Sequence, residues 1–240
     1  SIRFGNDEFE DRSQLTVEGF YGTMDQRDEL PETAAPAPGK FEAAFRRQRE
    51  AGADEVVCIN LSSELSATMA AAENAARAID GEFPVAVIDS RSITAGLGTQ
   101  VLLAAEAAAG GASGDEVLAL VEDLRTRTKV FGCLDTLENL KKGGRIGGAK
   151  ALLATALAIK PIVEVVDGEV AQAGKQRTRS KALKFLVDKV KSYGDDVNDL
   201  AVLHADCDDV DEFVAMLQPL YDGEIVIGDI GPVIGTHTGQ

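Results

Sequence analysis

Short apolar runs separated by stretches of helix length occupy much of this sequence. The apolar runs have the length of strands and end in polar residues; they lie at residues 56–61, 85–88 and 130–134. The helical stretches that follow or separate them lie at about residues 66–79, 94–109 and 113–126. Strands that alternate with helices are typical of βαβ units. We therefore predict an α/β fold whose N-terminal domain has a parallel sheet covered by helices on both faces.

Local signals mark where other elements begin and end. Ser113 with Glu116 forms a capping-box pattern, which predicts a helix start. The Pro-rich residues 31–39 exclude a helix interior or a central strand. We therefore interpret residues 8–40 as an acidic, irregular region that ends in an ordered loop and leads into a helix at about 41–49.

The pattern changes after Gly147, where a helix is expected at about 149–158. Two apolar runs around Asp167 and Gly168 give the strongest short-range signal for a β-hairpin. The remaining elements are predicted as a basic helix at about 180–192, a helix at 209–217, and strands at 200–203, 225–227 and 233–234. Antiparallel pairing indicates a C-terminal α+β domain, so we predict two domains, residues 1–147 and 148–240.

A hydroxyl-rich turn follows the first apolar run and contains Ser62, Ser63, Ser66 and Thr68. Ligands of open α/β sheets dock beyond the carboxyl ends of parallel strands. Hydroxyl groups and free N–H groups at a helix start suit a carboxylate or a phosphate. Alternatively, Ser66 is only the cap of the following helix. The turn by itself leaves both interpretations open.

Residues 141–148 (Lys-Lys-Gly-Gly-Arg-Ile-Gly-Gly) combine four glycines with three cations. Consecutive backbone N–H groups in such a segment can form a nest that binds an anion. The favoured interpretation is a helix C-terminus with glycine caps, where the helix dipole favours cations.

The residues 175–179 (Lys-Gln-Arg-Thr-Arg) form a second cationic segment. An Arg side chain can bind a carboxylate or a phosphate through two hydrogen bonds, but charge runs are usually solvated, so we expect at most one of Arg177 and Arg179 to point inward.

Of the two histidines, His204 closes an apolar strand and is interpreted as structural. His237 is predicted in a flexible, hydroxyl-rich loop after a strand, a better context for a site.

The composition narrows the function classes. A net charge of −16 and a pI near 4.5 argue against a nucleic acid partner and against anionic membranes. No apolar stretch approaches the roughly 18 residues of a membrane span. Cys58, Cys133 and Cys207 form no CxxC pair, which fits a reducing compartment. Without a Cys/His cluster or a Gly-x-Ser-x-Gly motif, the sequence predicts no metal, no cofactor and no nucleophile elbow.

Seven segments carry a resemblance along the whole chain. They are residues 4–8 (Phe-Gly-Asn-Asp-Glu), 33–39, 61–68 (Leu-Ser-Ser-Glu-Leu-Ser-Ala-Thr), 88–90 with 96–98, 135–137 with 140–146 (Leu-Lys-Lys-Gly-Gly-Arg-Ile), 160–162 (Lys-Pro-Ile) and 235–239 (Gly-Thr-His-Thr-Gly). In this order they resemble the DegV family of bacterial fatty-acid-binding proteins.

The resemblance implies a two-domain α/β protein with a tunnel between its domains for one long-chain fatty acid. It implies a cytoplasmic, non-catalytic subunit that presents the fatty acid carboxylate to a separate ATP-binding fatty acid kinase subunit, which forms an acyl phosphate. The head-group ligands it implies are Thr33 and Ser66, with Ser62 or Ser63 assisting. Arg177 and His237 would supply positive charge and hydrogen bonds.

The chain departs from the family pattern in several places. Residues 33–36 read Thr-Ala-Ala-Pro instead of Thr-Ser-Gln-Pro, and residues 66–68 read Ser-Ala-Thr instead of Ser-Gly-Thr. The family's first strand is missing before Ser1 and its Gly-Pro-Gly is missing after the His loop, so we expect a truncated or processed chain with an exposed sheet edge.

Two other functions compete with the fatty acid carrier. One is a free-standing phosphotransferase or esterase that uses Ser66 and His237. The other is a regulatory or structural protein that has lost ligand binding.

Overall fold

The computed structural model describes residues 1–11, 13–27, 29–155 and 159–240. The chain forms two compact units. The central unit consists of Ala35–Val130 and Val165–Glu169. The terminal unit combines three segments, Ser1–Ala34, Phe131–Glu164 and Val170–Gln240. The predicted division at residue 147 does not coincide with these units, because the N-terminal strands pack with C-terminal elements.

Strands and helices alternate along most of the chain. The strands are β1 (Ile2–Phe4), β2 (Asp7–Phe9), β3 (Glu32–Thr33), β4 (Val56–Asn60), β5 (Val85–Asp89), β6 (Phe131–Cys133), β7 (Lys160–Val166), β8 (Glu169–Gln176), β9 (Leu200–His204) and β10 (Ile225–Asp229). The α-helices are α1 (Val17–Asp25), α2 (Pro38–Glu50), α3 (Thr68–Ala78), α4 (Thr94–Ala109), α5 (Gly114–Arg127), α6 (Glu138–Lys142), α7 (Arg179–Tyr193), α8 (Val210–Leu217) and α9 (Pro232–Thr238). Shorter 3₁₀ segments lie at Gly147–Thr155, Gly194–Asp196 and Gln218–Leu220.

The central unit is built on the parallel pair β4–β5, in register from Val56 opposite Val85 to Asn60 opposite Asp89. Side chains alternate between the two faces of a strand. On one face, Val56 and Cys58 pack with the α2–α3 cluster of Phe45, Ala75, Ile79 and Phe83. On the other, Val57 and Ile59 pack with the α4–α5 cluster of Ile88, Ala104, Val117 and Val121. The predicted parallel pairing with helices on both faces is therefore confirmed for these two strands.

The terminal unit contains both kinds of strand pairing. β1 pairs antiparallel with β2 and with β3, whereas β9 and β10 run parallel with α8 between them. One core cluster joins β1 to α1 and consists of Ile2, Phe4, Phe20, Tyr21 and Ala205. The Tyr21 hydroxyl donates to the carbonyl oxygen of Ile230 at 2.9 Å and so fixes α1 next to the chain that enters α9.

Several predicted elements are confirmed. α4 spans the predicted residues 94–109. The Ser113 hydroxyl accepts from the Glu116 N–H, and the Glu116 carboxylate accepts from the Ser113 N–H, which completes the capping box. The hairpin turn at Asp167 and Gly168 has positive φ angles of 51° and 88°, as a type I′ turn requires. The mixed α/β fold class is confirmed.

Three predicted elements are wrong. Residues 8–40 are not irregular, because α1 lies within them with Thr16 as its side-chain cap. The run at 130–134 does not extend a parallel sheet; β6 pairs antiparallel with β7, since apolar patterning fixes the buried face of a strand and not its partner. The predicted helix at 149–158 is a 3₁₀ segment as far as Thr155, and residues 156–158 lie outside the described residues.

The predicted strand at 233–234 is also wrong, because α9 begins at Pro232. Proline in the first turn has its φ angle already set for a helix and loses no needed N–H group. Thr236 adds a hydrogen bond from its hydroxyl to the Pro232 carbonyl at 2.9 Å. His237 therefore lies in the last turn of a helix and not in a flexible loop.

Candidate functional site

The terminal unit brings together two residues that are 204 positions apart. The Thr33 hydroxyl and His237 Nε2 lie 3.0 Å apart, in hydrogen-bond contact. Thr33 is held in β3, where it pairs with Ile2 of β1, and His237 is held in α9. Both side chains are half-buried. The pairing of these two predicted site residues gives a positioned hydroxyl supported by an imidazole.

Gly143 forms the surface on which the His237 ring rests. A Cβ atom at residue 143 would overlap Nδ1 of His237, so this nitrogen faces the Cα–H group of the glycine. Nδ1 is buried and has no hydrogen-bond partner among the described residues. A bare nitrogen facing a C–H group keeps a weak attraction, whereas an N–H there would be an unpaired buried donor. The contact therefore favours the tautomer that carries its proton on Nε2.

This tautomer decides what Thr33 offers to a ligand. When Nε2–H donates to the Thr33 oxygen, the Thr33 hydroxyl proton is left to donate elsewhere. A carboxylate accepts hydrogen bonds and cannot donate them. The arrangement of Gly143, His237 and Thr33 thus turns one hydroxyl into a donor suited to a carboxylate.

The glycine-rich motif is a helix ending, as the favoured interpretation predicted. Gly143 is the C-cap of α6, and Gly144 follows with a φ angle of 73°. The N–H groups of Gly143, Gly144 and Arg145 donate to Asn139, Lys141 and Leu140 carbonyls of the same helix at 2.8–3.2 Å. These groups are therefore used in a Schellman-type cap and do not form an anion-binding nest.

The helix ending places Arg145 beside the histidine. Arg145 is half-buried, and its Nη1 donates to the Gly143 carbonyl at 2.5 Å. Burial lowers the pKa of His237, and the positive charge of Arg145 lowers the pKa further. The imidazole is therefore neutral near pH 7, and the positive charge at this site comes from Arg145 and not from His237.

A second contact fixes the helix that carries His237. Asn139 of α6 is buried, and its side-chain amide donates to the Thr236 carbonyl at 3.3 Å. The α6 helix thus holds α9 through Asn139 and supports the imidazole through Gly143.

The hydroxyl-rich turn belongs to the central unit, and its serines have local partners. Ser62 is buried, and its hydroxyl donates to the Gly168 carbonyl at 2.7 Å. Ser63 is exposed and donates through its hydroxyl to the Asp89 carboxylate at 2.6 Å. Both hydroxyl protons are therefore used within the unit. Their roles as head-group ligands stay predictions.

Ser66 has the local contacts of a residue at a helix start. Its hydroxyl lies 2.8 Å from that of Thr68 and accepts from the Thr68 N–H at 3.2 Å. Thr68 is the first residue of α3, and Ala67 occupies the cap position. Ser66 is therefore not the cap residue itself, although its hydroxyl accepts from the first helical N–H. Its predicted contact with a head group stays untested.

The two arginines of residues 175–179 differ in their surroundings. Arg177 is exposed, between β8 and α7. Arg179 is half-buried and forms two hydrogen bonds with Asp209, of 2.5 and 2.8 Å, which raise its pKa. Arg177 as a ligand stays a prediction.

Sequence reasoning missed Arg145 as a site residue. The motif that contains Arg145 was identified, but only as a helix ending, because Arg145 follows the glycine pair that caps the helix. Only the packing of α6 against α9 shows that the residue after this cap approaches His237.

Within the described ranges no group of three or more His, Cys, Asp or Glu side chains has an arrangement that could hold a metal ion. Nor does any helix in these ranges have the length and apolar character needed to cross a membrane.

We expect Gly143→Ala to displace His237 from Thr33, because the added methyl group would occupy the place of Nδ1. The substitution should lower the free energy of unfolding by about 1–3 kcal/mol, the usual cost of overpacking. Thermal denaturation measures this loss. The matched control is Gly22→Ala in α1, where an added Cβ has no atom within 4 Å. A Gly143→Ala variant as stable as the control would contradict the described contact.

The lowered pKa of His237 predicts a pH-dependent stability. Below the ordinary pKa of 6.5, the unfolded chain binds a proton that folded His237 does not yet bind. The stability is therefore present above this value and is lost as the pH falls toward the pKa of the folded state. Replacement His237→Gln removes this titration, so the melting temperature of the parent should fall more steeply with acidification than that of the variant. Parallel curves would show that the pKa of His237 is not lowered.

Comparisons with known proteins place the whole chain in one family. The family model described as "Uncharacterised protein, DegV family" matches residues 1–240. The DegV domain-containing protein SCO2569 of Streptomyces coelicolor is 34% identical over 245 residues, which cover 100% of this chain and 85% of that protein.

Two solved structures are similar along nearly the full chain. One, described as "Fatty Acid Binding of a DegV family Protein from Thermus thermophilus", has 31% identity and a TM-score of 0.88, and the match covers 99% of this chain and 86% of that one. The other is DegV, a fatty acid binding protein from Bacillus subtilis, with 28% identity, a TM-score of 0.85, and coverage of 100% and 86%. Since the family model spans every residue and the sequence of SCO2569 aligns over the full length, the chain belongs to the DegV family.

Proposed function

We propose that this protein binds a long-chain fatty acid and presents its carboxylate to a separate ATP-dependent kinase in the bacterial cytoplasm. The observation that carries the proposal is the Thr33–His237 hydrogen bond beside Arg145, in a chain similar to fatty-acid-binding DegV proteins. The protein itself is a carrier without catalytic activity. The kinase forms the acyl phosphate.

The Thr33–His237–Arg145 group meets the needs of a carboxylate. An ionised carboxylate that leaves water without partners loses several kcal/mol or raises its own pKa. Here Thr33 offers a hydrogen bond, and Arg145 offers a positive charge at partial burial, where charge interactions are stronger than in water. A neutral His237 holds the Thr33 hydroxyl in its donor orientation.

The hydrocarbon tail supplies most of the affinity. Each methylene group removed from water contributes about 0.8 kcal/mol, so a long saturated chain far outweighs the head group in binding free energy. The head-group contacts then fix the orientation of the carboxylate. Such orientation is what a kinase needs for transfer of a terminal phosphoryl group.

Ser66, Ser62, Ser63 and Arg177 complete the proposed set of head-group ligands. Ser66 is the strongest of these, because its hydroxyl proton can still rotate toward a ligand while its oxygen accepts from the Thr68 N–H. Ser62 is the weakest, since it is buried with its hydroxyl donating to a carbonyl.

The esterase alternative is less well supported. Nucleophilic serines need a base within hydrogen-bond distance. The partner of the Ser66 hydroxyl is Thr68, and the partner of His237 Nε2 is Thr33.

Mass spectrometry of the extract from the purified, denatured protein tests the carrier function. We expect a long-chain fatty acid at about one molecule per chain, and no ATP consumption when the protein is incubated alone with ATP and fatty acid. Acyl phosphate should form only after a fatty acid kinase is added. Turnover by the protein alone would favour the free-standing enzyme, and an empty protein that takes up no added fatty acid would contradict the carrier.

Two arginine variants identify the cation of the site. Arg145→Gln removes a positive charge close to His237 and should reduce the retained fatty acid several-fold. Arg177→Gln tests the sequence-based ligand under the same conditions, and the exposed position of Arg177 predicts a smaller loss. Competition binding with a fluorescent fatty acid measures both. A larger loss in Arg177→Gln would make Arg177 the principal cation.

A further inference from the structure

The most basic stretch of this acidic chain lies in and before α7. Residues 175–191 contain seven of the 24 Lys and Arg residues and a single acidic residue, Asp188. The whole chain has a net charge of −16. Residues 175–191 therefore carry a local excess of positive charge, although the chain as a whole is negatively charged.

Three lysines of α7 form one exposed stripe. Lys181, Lys184 and Lys191 are separated by three and seven residues, a spacing that places them on one face of a helix. Asp188 lies on the same face, and all four side chains are exposed. The opposite face is apolar, with Leu183 buried and with Val187 and Val190 in the core cluster around Val202. We call Lys181, Lys184, Asp188 and Lys191 the α7 stripe.

The N-terminal part of the stripe is unfavourable for the helix that carries it, whereas Lys191 lies in the last turn, where the helix dipole favours a cation. Lys181 lies in the first turn, where the helix dipole disfavours a cation, and no acidic residue of α7 lies there to compensate. Lys181 and Lys184 are a like-charged pair at i and i+3, which is also unfavourable. Among the residues that the structure describes, no ion pair joins the three lysines to a carboxylate. Arg179 and Lys189 differ, because Arg179 pairs with Asp209 and Lys189 lies over the Phe131 and Phe185 rings.

The pattern of the stripe fits a protein partner better than a lipid surface. A membrane-bound helix inserts apolar side chains, and none of the exposed large hydrophobic residues in the described ranges lies on α7. Either kind of surface acts on the chain over about one Debye length, roughly 8 Å. A folded partner can confine its acidic groups to a patch of the size of the stripe, whereas an anionic membrane is also presented to the acidic residues of the chain around the stripe. Asp188 interrupts the positive charges, which a uniform anionic surface would not match.

We propose that the α7 stripe is the docking surface for a protein partner with an acidic face that carries one cation opposite Asp188. The inference rests on the proposed function, under which this partner is the fatty acid kinase. Complementary charges steer the encounter and set the register of the complex. The acidic remainder of the chain disfavours other acidic surfaces.

A charge-reversal variant tests the docking surface. Lys181→Glu, Lys184→Glu and Lys191→Glu are combined, and the loaded protein is assayed as substrate of the fatty acid kinase from the same organism. We expect the KM to rise about tenfold or more with the fatty acid content unchanged. Added salt should raise the KM of the parent and change that of the variant little.

The control makes the same change of net charge elsewhere. Arg47→Glu, Arg77→Glu and Lys129→Glu replace three exposed cations of the central unit, and the KM should stay within about twofold of the parent. If the triple glutamate variant does not fold, the corresponding triple glutamine variant replaces it, and the expected rise in KM is then smaller. A KM unchanged in the stripe variant, or raised equally in the control, would overturn the proposal.

Two further measurements separate the remaining explanations. Asp188→Lys should raise the KM, because it places a lysine opposite the cation of the partner. An unchanged KM would contradict the cation opposite Asp188, and a lowered KM would indicate a uniform polyanion. Sedimentation with phosphatidylglycerol vesicles should show no binding by the parent, and binding that is lost in the stripe variant would assign the stripe to lipid. A parent protein without fatty acid would refute the proposed function together with this inference, whereas a loaded parent and stripe variant with equal KM would refute the inference alone.

Discussion

The contact between His237 and Gly143 is the constraint on which the candidate site depends. It requires a residue without a side chain at position 143, and it favours the tautomer of the imidazole that carries its proton on Nε2. The orientation of the Thr33 hydroxyl follows from that proton, because Nε2 has Thr33 as its partner. A single close approach between two helix ends thus turns a common side chain into a directed hydrogen-bond donor.

The terminal unit assembles this contact from segments far apart in the sequence. β3 supplies Thr33, α6 supplies Asn139 and Gly143, and α9 supplies His237. Each segment is fixed by an ordinary structural device: strand pairing with β1, a glycine helix cap, and a proline at the start of a helix. The chemistry of the site therefore needs no strained or rare conformation at Thr33 or His237.

Local charge, and not the net charge, governs both proposals. The chain is strongly acidic, yet Arg145 gives the candidate site a positive charge and lowers the pKa of the neighbouring His237. At the surface, the three lysines of the α7 stripe have no carboxylate partner within the described part of the chain, and Lys181 lies in the first turn, where the helix dipole disfavours it. An anionic ligand and an anionic protein face can both be recognised by an acidic protein, because each meets only the charges within a short distance.

Local sequence signals were enough to predict several elements. The helix at 94–109, the capping box of Ser113 and Glu116, and the turn at Asp167 and Gly168 depend on neighbouring residues, and the structure has all three. The sequence also identified the glycine motif as a helix ending, and it singled out Thr33 and His237 through the family resemblance. Three features could be seen only in the folded chain: β6 pairs with β7, residues 233–234 belong to a helix, and Arg145 approaches His237. These features depend on which surfaces meet after the chain folds, and packing between distant segments overrides the propensities that a sequence displays.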